Sequence, residues 1–208
     1  GKDSNGVVRT VSVLPLPNDN NTASQVGAVY IYERDLAVPG QWGNGDFGAY
    51  IKAPNAGSGD SFGYSVKLSP DGLTLAVGAD AESSVGSATG LGANPVDDCL
   101  GGSPTNCALG SGAAYIFQKN LLVSDQWGTG EFSVYIKAPN TGRTDFFGIS
   151  VDLSYDGSAL AVGAAYEDSL GNNSGFGGDP VDDCLNQDGS LNLKPISCAL
   201  DSGAVYLY

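Results

Sequence analysis

The sequence predicts an all-β fold built from repeated antiparallel units, and three observations carry that prediction. First, a long block occurs twice at one offset. Gly27 to Tyr32 (GAVYIY) returns at Gly112 to Phe117 (GAAYIF), Tyr50 to Asn55 (YIKAPN) at Tyr135 to Asn140, and Leu75 to Ala79 (LAVGA) at Leu160 to Ala164, each pair 85 residues apart. Self-similarity at a fixed period marks stacked supersecondary units. Second, 31 Gly, 10 Tyr and many Val, with few runs of Leu, Glu, Lys or Arg, favour strands and tight turns over helices. Third, Asp71-Gly72 and Asp156-Gly157 stand at equivalent places between apolar runs, and an Asp-Gly step is a strong hairpin signal.

Taken in order, residues 1–26 form an extension that resembles the tail of a preceding loop, with a possible strand over Val7 to Leu14. Residues 27–111 are the first repeat and 112–202 the second; 203–208 (GAVYLY) open a third. Within a repeat, Ala113, Tyr115 and Phe117 alternate with Ala114 and Ile116 as one strand, and Ser133 to Ala138 forms the next, after a loop carrying Gln126-Trp127-Gly128. Phe147 to Leu153 then pairs with Ala159 to Gly163 across Ser154-Tyr155-Asp156-Gly157; the first copy has Ser69-Pro70-Asp71-Gly72 at that turn. Four short antiparallel strands per repeat make one β-propeller blade. Between them lie long polar loops, Asp80 to Ser111 and Tyr166 to Ser202, and loops of this length in a compact domain are usually functional.

With 9 basic and 23 acidic residues the net charge is −14. That disfavours nucleic acid and anionic membrane surfaces, both of which need basic patches. No apolar run is long enough to span a bilayer, so membrane insertion is not expected. The four cysteines fall as Cys99/Cys107 and Cys184/Cys198, at equivalent places in the two long loops, which favours two within-loop disulfides among three possible connectivities. Each would stabilise the fold by about 2.5–3 kcal/mol if unstrained. A zinc site fits neither the spacing nor a chain with no His. Disulfides imply an oxidising compartment, so an extracellular or cell-surface location is expected. Ending on the opening strand of a third repeat, the sequence reads as part of a longer protein.

Phe62-Gly63 and Phe147-Gly148, each followed by LAVGA and then by a G-A-x-Y strand, resemble the FG-GAP repeat. That resemblance implies the seven-bladed propeller of integrin alpha chains and of many secreted bacterial proteins. It implies two strands of one blade, a complete blade over about Phe62 to Ala138, and three strands of the next: a partial propeller, or one completed between copies. The final Pro of the motif is replaced by Asp80 and Ala165.

The same resemblance makes calcium the cofactor to test, because the family's turn is an Asp-rich loop whose alternating oxygens wrap a hard cation. The second turn keeps Asp152, Ser154, Asp156 and Gly157 but lacks the closing Asp; the first has Lys67 at the leading ligand position, where its ammonium repels a cation. The plain hairpin reading is therefore favoured at both. A second carboxylate set lies in the long loops: Asp80 with Glu82, Glu167 with Asp168, and the doublets Asp97-Asp98 and Asp182-Asp183 beside the first cysteine of each pair. The doublets could ligate metal or cap backbone N–H groups in turns.

Trp42 and Trp127, each in Q-W-G-x-G-x-F, are the residues a glycan-binding reading would use, although packing at the end of a blade core is favoured for both. Tyr30, Tyr32, Tyr115, Tyr206 and Tyr208 read as packing residues. No His is present and the cysteines are expected in disulfides, so the common nucleophile–base pairs are missing and no catalytic residue is assigned. Asn20 and Asn172 fit the glycosylation acceptor pattern. The expected function is a non-enzymatic structural or adhesive module that meets a protein or another copy of itself. A lectin-like propeller and a subunit of a self-assembling extracellular filament are the alternatives.

Overall fold

A computed structural model describes residues 24–34, 49–84, 90–91, 107–121, 127, 133–168 and 201–208. Every regular element among them is a strand: β1 (Val29–Ile31), β2 (Ala49–Ile51), β3 (Ser65–Leu68), β4 (Thr74–Ala79), β5 (Gly90–Leu91), β6 (Ala113–Gln118), β7 (Ser133–Lys137), β8 (Phe147–Leu153), β9 (Leu160–Ala164) and β10 (Ala204–Leu207). All strand pairs are antiparallel. The chain is all-β, as its composition and turn chemistry predict.

Three sheets form. β1 and β2 make the first, β3-β4-β6-β7-β5 the second, and β10-β9-β8 the third. The second sheet carries a strand beyond the four expected, because Gly90–Leu91, from within the long loop, pairs with Ile136 and Lys137 of β7. The hairpins fall at the predicted turns. In each, the Ser hydroxyl accepts from the backbone N–H five residues on, at Thr74 and Ala159, while the turn glycine donates to the Ser carbonyl.

The second sheet lies between the other two and is covered on both faces. Val29, Ile31, Ala49 and Ile51 pack on one side against Phe62, Val77, Tyr115, Phe117 and Tyr135. On the other side Ala76, Ala114 and Ile136 pack against Phe147, Leu153, Leu160 and Val162. This is why β4 is buried at every position and needs no polar alternation: TLAVGA is an interior strand. β10 alternates between half-buried and exposed positions because only one of its faces is covered.

The Phe-Gly motif is the joint between successive sheets. Phe62 and Phe147 are buried in the two cores, and each forms an isolated parallel bridge back to the glycine that opens a strand, Gly27 and Gly112. The backbones approach so closely that a Cβ on Gly112 would sit 2.0 Å from the Phe147 carbonyl oxygen. Gly148 is constrained twice, by a φ of 91° and by the Ala113 oxygen 2.2 Å from any added Cβ.

Candidate functional site

The densest polar cluster lies where the end of β7 meets the segment after β4. Lys137 is fully buried and its ammonium donates to Glu82 Oε2 (2.8 Å), Ser111 Oγ (2.7 Å) and the Gly112 carbonyl (2.6 Å), so all three donors are used. Glu82 Oε1 accepts from Asn55 Nδ2 (3.2 Å), from Ser84 N (3.1 Å) and from the Ser84 hydroxyl. Tyr135 donates to Glu82 Oε2 (3.1 Å), and Tyr115 donates to Asn55 Oδ1 (2.8 Å). One carboxylate thus ties together the chain after β2, the chain after β4 and β7, and Tyr115 of β6 joins them through Asn55.

Burial governs the protonation equilibria here. It raises the Tyr115 and Tyr135 phenols well above their ordinary 10.0, and the negative charge of Glu82 adds to the effect. Burial also lowers Lys137 from its ordinary 10.5, with the attraction of Glu82 acting against it. Such a cluster, buried and satisfied by internal partners, holds strands together.

The arrangement recurs at the next sheet. Asn140 Nδ2 donates to Glu167 Oε1 (2.7 Å), Tyr206 donates to Asn140 Oδ1 (2.6 Å), and Gly203 N donates to the Glu167 carbonyl (2.9 Å), as Gly112 N does to that of Glu82 (2.8 Å). Gly57 N donates to Asp60 Oδ2 (2.6 Å) and Gly142 N to Asp145 Oδ2 (2.9 Å), which closes the turn before each Phe-Gly motif. These residues keep the 85-residue offset up to the long loop.

Three carboxylates expected as metal ligands are therefore placed otherwise. Glu82 and Glu167 are buried acceptors of the junction, and Asp168 is buried and accepts from Asp201 N (2.7 Å). Asp80 is buried too, and desolvation raises its carboxyl above its ordinary 3.8. Asp152 forms an exposed ion pair with Lys67 at 2.8 Å, which together with the Leu153 N–H lowers its pKa. Asp156 closes its own turn by accepting from Ser154 Oγ and from Ser158 N and Oγ, bonds that bring it down to about 2. Asp71 does the same for Ser69 Oγ and Leu73 N. Among the described residues no group of three or more His, Cys, Asp or Glu gathers in a metal-holding arrangement.

Trp127 is buried in the first core, so its indole presents no face to a sugar. Tyr30 and Tyr32, expected as packing residues, are about half exposed, because the sheet that carries them has two strands and nothing covers its outer face among the described residues. Cys107 is not a free thiol. Asp97, Asp98, Asp182, Asp183, Trp42, Cys99, Cys184 and Cys198 lie outside the described residues. The residues that sequence reasoning passed over are Lys137, Asn55 and Asn140; their signal was the unchanged YIKAPN in both copies.

No protein-family model, curated protein or solved structure matches the chain.

Proposed function

We propose that the chain is a segment of an extracellular β-propeller of the FG-GAP type, a non-enzymatic structural or adhesive module whose long loops meet protein partners. The single observation that carries this reading is the repeated junction. Asn, Glu, Tyr and the Phe-Gly turn stand in the same mutual contacts at both sheet interfaces, as expected when one blade is stacked on the next. The buried charges are consumed in holding that stack, which leaves recognition to the loops between the sheets.

The test is adhesion. Beads coated with the protein should bind extracellular protein surfaces, and replacing residues 92–106 by a Gly-Ser segment of equal length should abolish binding while far-UV circular dichroism stays unchanged. A glycan-array signal lost on Trp42→Ala would replace this reading with the lectin-like one. Calcium is probed separately. A melting temperature raised by the ion and restored by chelator would show that the folded chain binds it.

A further inference from the structure

We propose that Lys137 and Asn55 become joined side chain to side chain by an amide bond, which the chain forms on itself with Glu82 as the proton carrier. The bond ties the segment after β2 covalently to β7, and so the first sheet to the central one. It is a single-turnover reaction that needs no co-reactant, and it holds whichever partner the loops meet. The four parts that such a reaction requires stand together in the first junction.

The nucleophile is an amine kept out of water. Lys137 is fully buried, and its Nζ is fixed by Ser111 Oγ (2.7 Å) and the Gly112 carbonyl (2.6 Å) as well as by Glu82. Burial favours the neutral amine, the form that attacks, although the charges of Glu82, Asp145 and Asp60 pull the other way. The electrophile is the Asn55 amide, which is itself buried. Its carbonyl oxygen accepts from the Tyr115 hydroxyl at 2.8 Å, a donor placed where negative charge develops on attack.

Glu82 spans the two. Its Oε2 accepts from Lys137 Nζ at 2.8 Å and its Oε1 from Asn55 Nδ2 at 3.2 Å, so one carboxylate is placed to take a proton from the amine and return one to the leaving nitrogen. Tyr135 and the Ser84 N–H hold the carboxylate in that orientation. A pairing of charges alone needs neither an amide on the second oxygen nor a phenol on that amide's carbonyl. The acceptor half is also built twice, since Asn140 meets Glu167 and Tyr206 as Asn55 meets Glu82 and Tyr115.

The steps balance within these groups. Lys137 passes one proton to Glu82, and the neutral Nζ closes on Asn55 Cγ and bonds to it as the carbonyl electron pair moves to Oδ1 beside Tyr115. Glu82 gives its proton to Nδ2 and takes a second from Nζ. The Cγ–Nδ2 bond then breaks, the carbonyl re-forms and ammonia leaves. The product is a secondary amide with one N–H left to donate, and Glu82 keeps the remaining proton, so a buried ion pair is replaced by neutral groups. Both partners come from the one motif present in each copy, YIKAPN: the lysine of the second meets the asparagine of the first.

The test is mass spectrometry of the full chain, folded and incubated, then reduced so that disulfides do not contribute. Its mass should fall below that of the sequence by about 17 Da, one ammonia. Trypsin should yield residues 53–67 joined to residues 120–143 and uncut at Lys137. Glu82→Gln and Lys137→Arg should show neither, and Tyr115→Phe should form the link about a hundredfold more slowly after refolding. Circular dichroism identifies the variants that fold, and the wild-type peptide map decides the matter even where a variant does not. Residues that merely hold strands together would change stability and leave the mass of the wild-type chain unaltered. A wild-type map of linear peptides cut after Lys137 would overturn the proposal. So would a mass loss without the branched peptide, a branch to Glu82 with loss of about 18 Da as water, a branched peptide in folded Glu82→Gln, or a Tyr115→Phe variant that links as fast as wild type.

Discussion

Thr144 has a φ of 63°, a left-handed backbone that a β-branched residue tolerates poorly, and the equivalent position in the first repeat is Gly59 at 92°. Thr144→Gly should therefore stabilise the protein, by up to about 1 kcal/mol once the greater freedom of glycine in the unfolded chain is subtracted, as read by denaturant midpoint. The buried pair gives the opposite case. Lys137→Ala leaves Glu82 without its ammonium partner and should cost about 3–5 kcal/mol. The buried phenols set the alkaline limit. Tyr115, Tyr135 and Tyr206 are raised above 10.0, and Tyr208 to about 12, chiefly by burial. Each binds its proton more tightly folded than unfolded, so the stability it contributes is intact below pH 10 and is lost as pH rises toward 12. Lys137, lowered from 10.5, acts with the opposite sign only below that value, so above it the phenols decide. The part of the tyrosinate absorbance that belongs to the buried phenols should then appear only with the loss of circular dichroism; full ionisation of those phenols in a folded protein would contradict this account.

At the scale of the element, the joints between sheets are steric as much as apolar. Gly148→Ala must place a methyl against the Ala113 oxygen at a φ that alanine disfavours, and it should destabilise by about 3 kcal/mol or more. The strands themselves were legible, since LAVGA is a short apolar run bounded by an Asp-Gly turn, the mark of a buried strand rather than of a half-exposed one. Other features were not. Glu82 and Glu167 looked like cation ligands because a count of carboxylates in a loop carries no information about which lysine or asparagine the fold brings to them. Gly90–Leu91 as a fifth strand was hidden by its length: two residues have no periodicity to read. The left-handed turns at Ser61 and Phe146 were equally hidden, because neither residue type announces a positive φ.

At the scale of the whole molecule, the described residues place one sheet in the middle with both faces covered, a two-stranded sheet on one side and a three-stranded sheet on the other. Stability should follow that order, because local opening is least costly where fewest apolar contacts are lost. Native-state amide exchange tests it most directly. Amides of β4 and β6 should exchange only by global unfolding, and those of β10 at least about a hundredfold faster, a gap of about 2.7 kcal/mol in opening free energy. Exchange in β4 as fast as in β10 would mean that the central sheet is not enclosed, and would contradict the stack on which the proposed function depends.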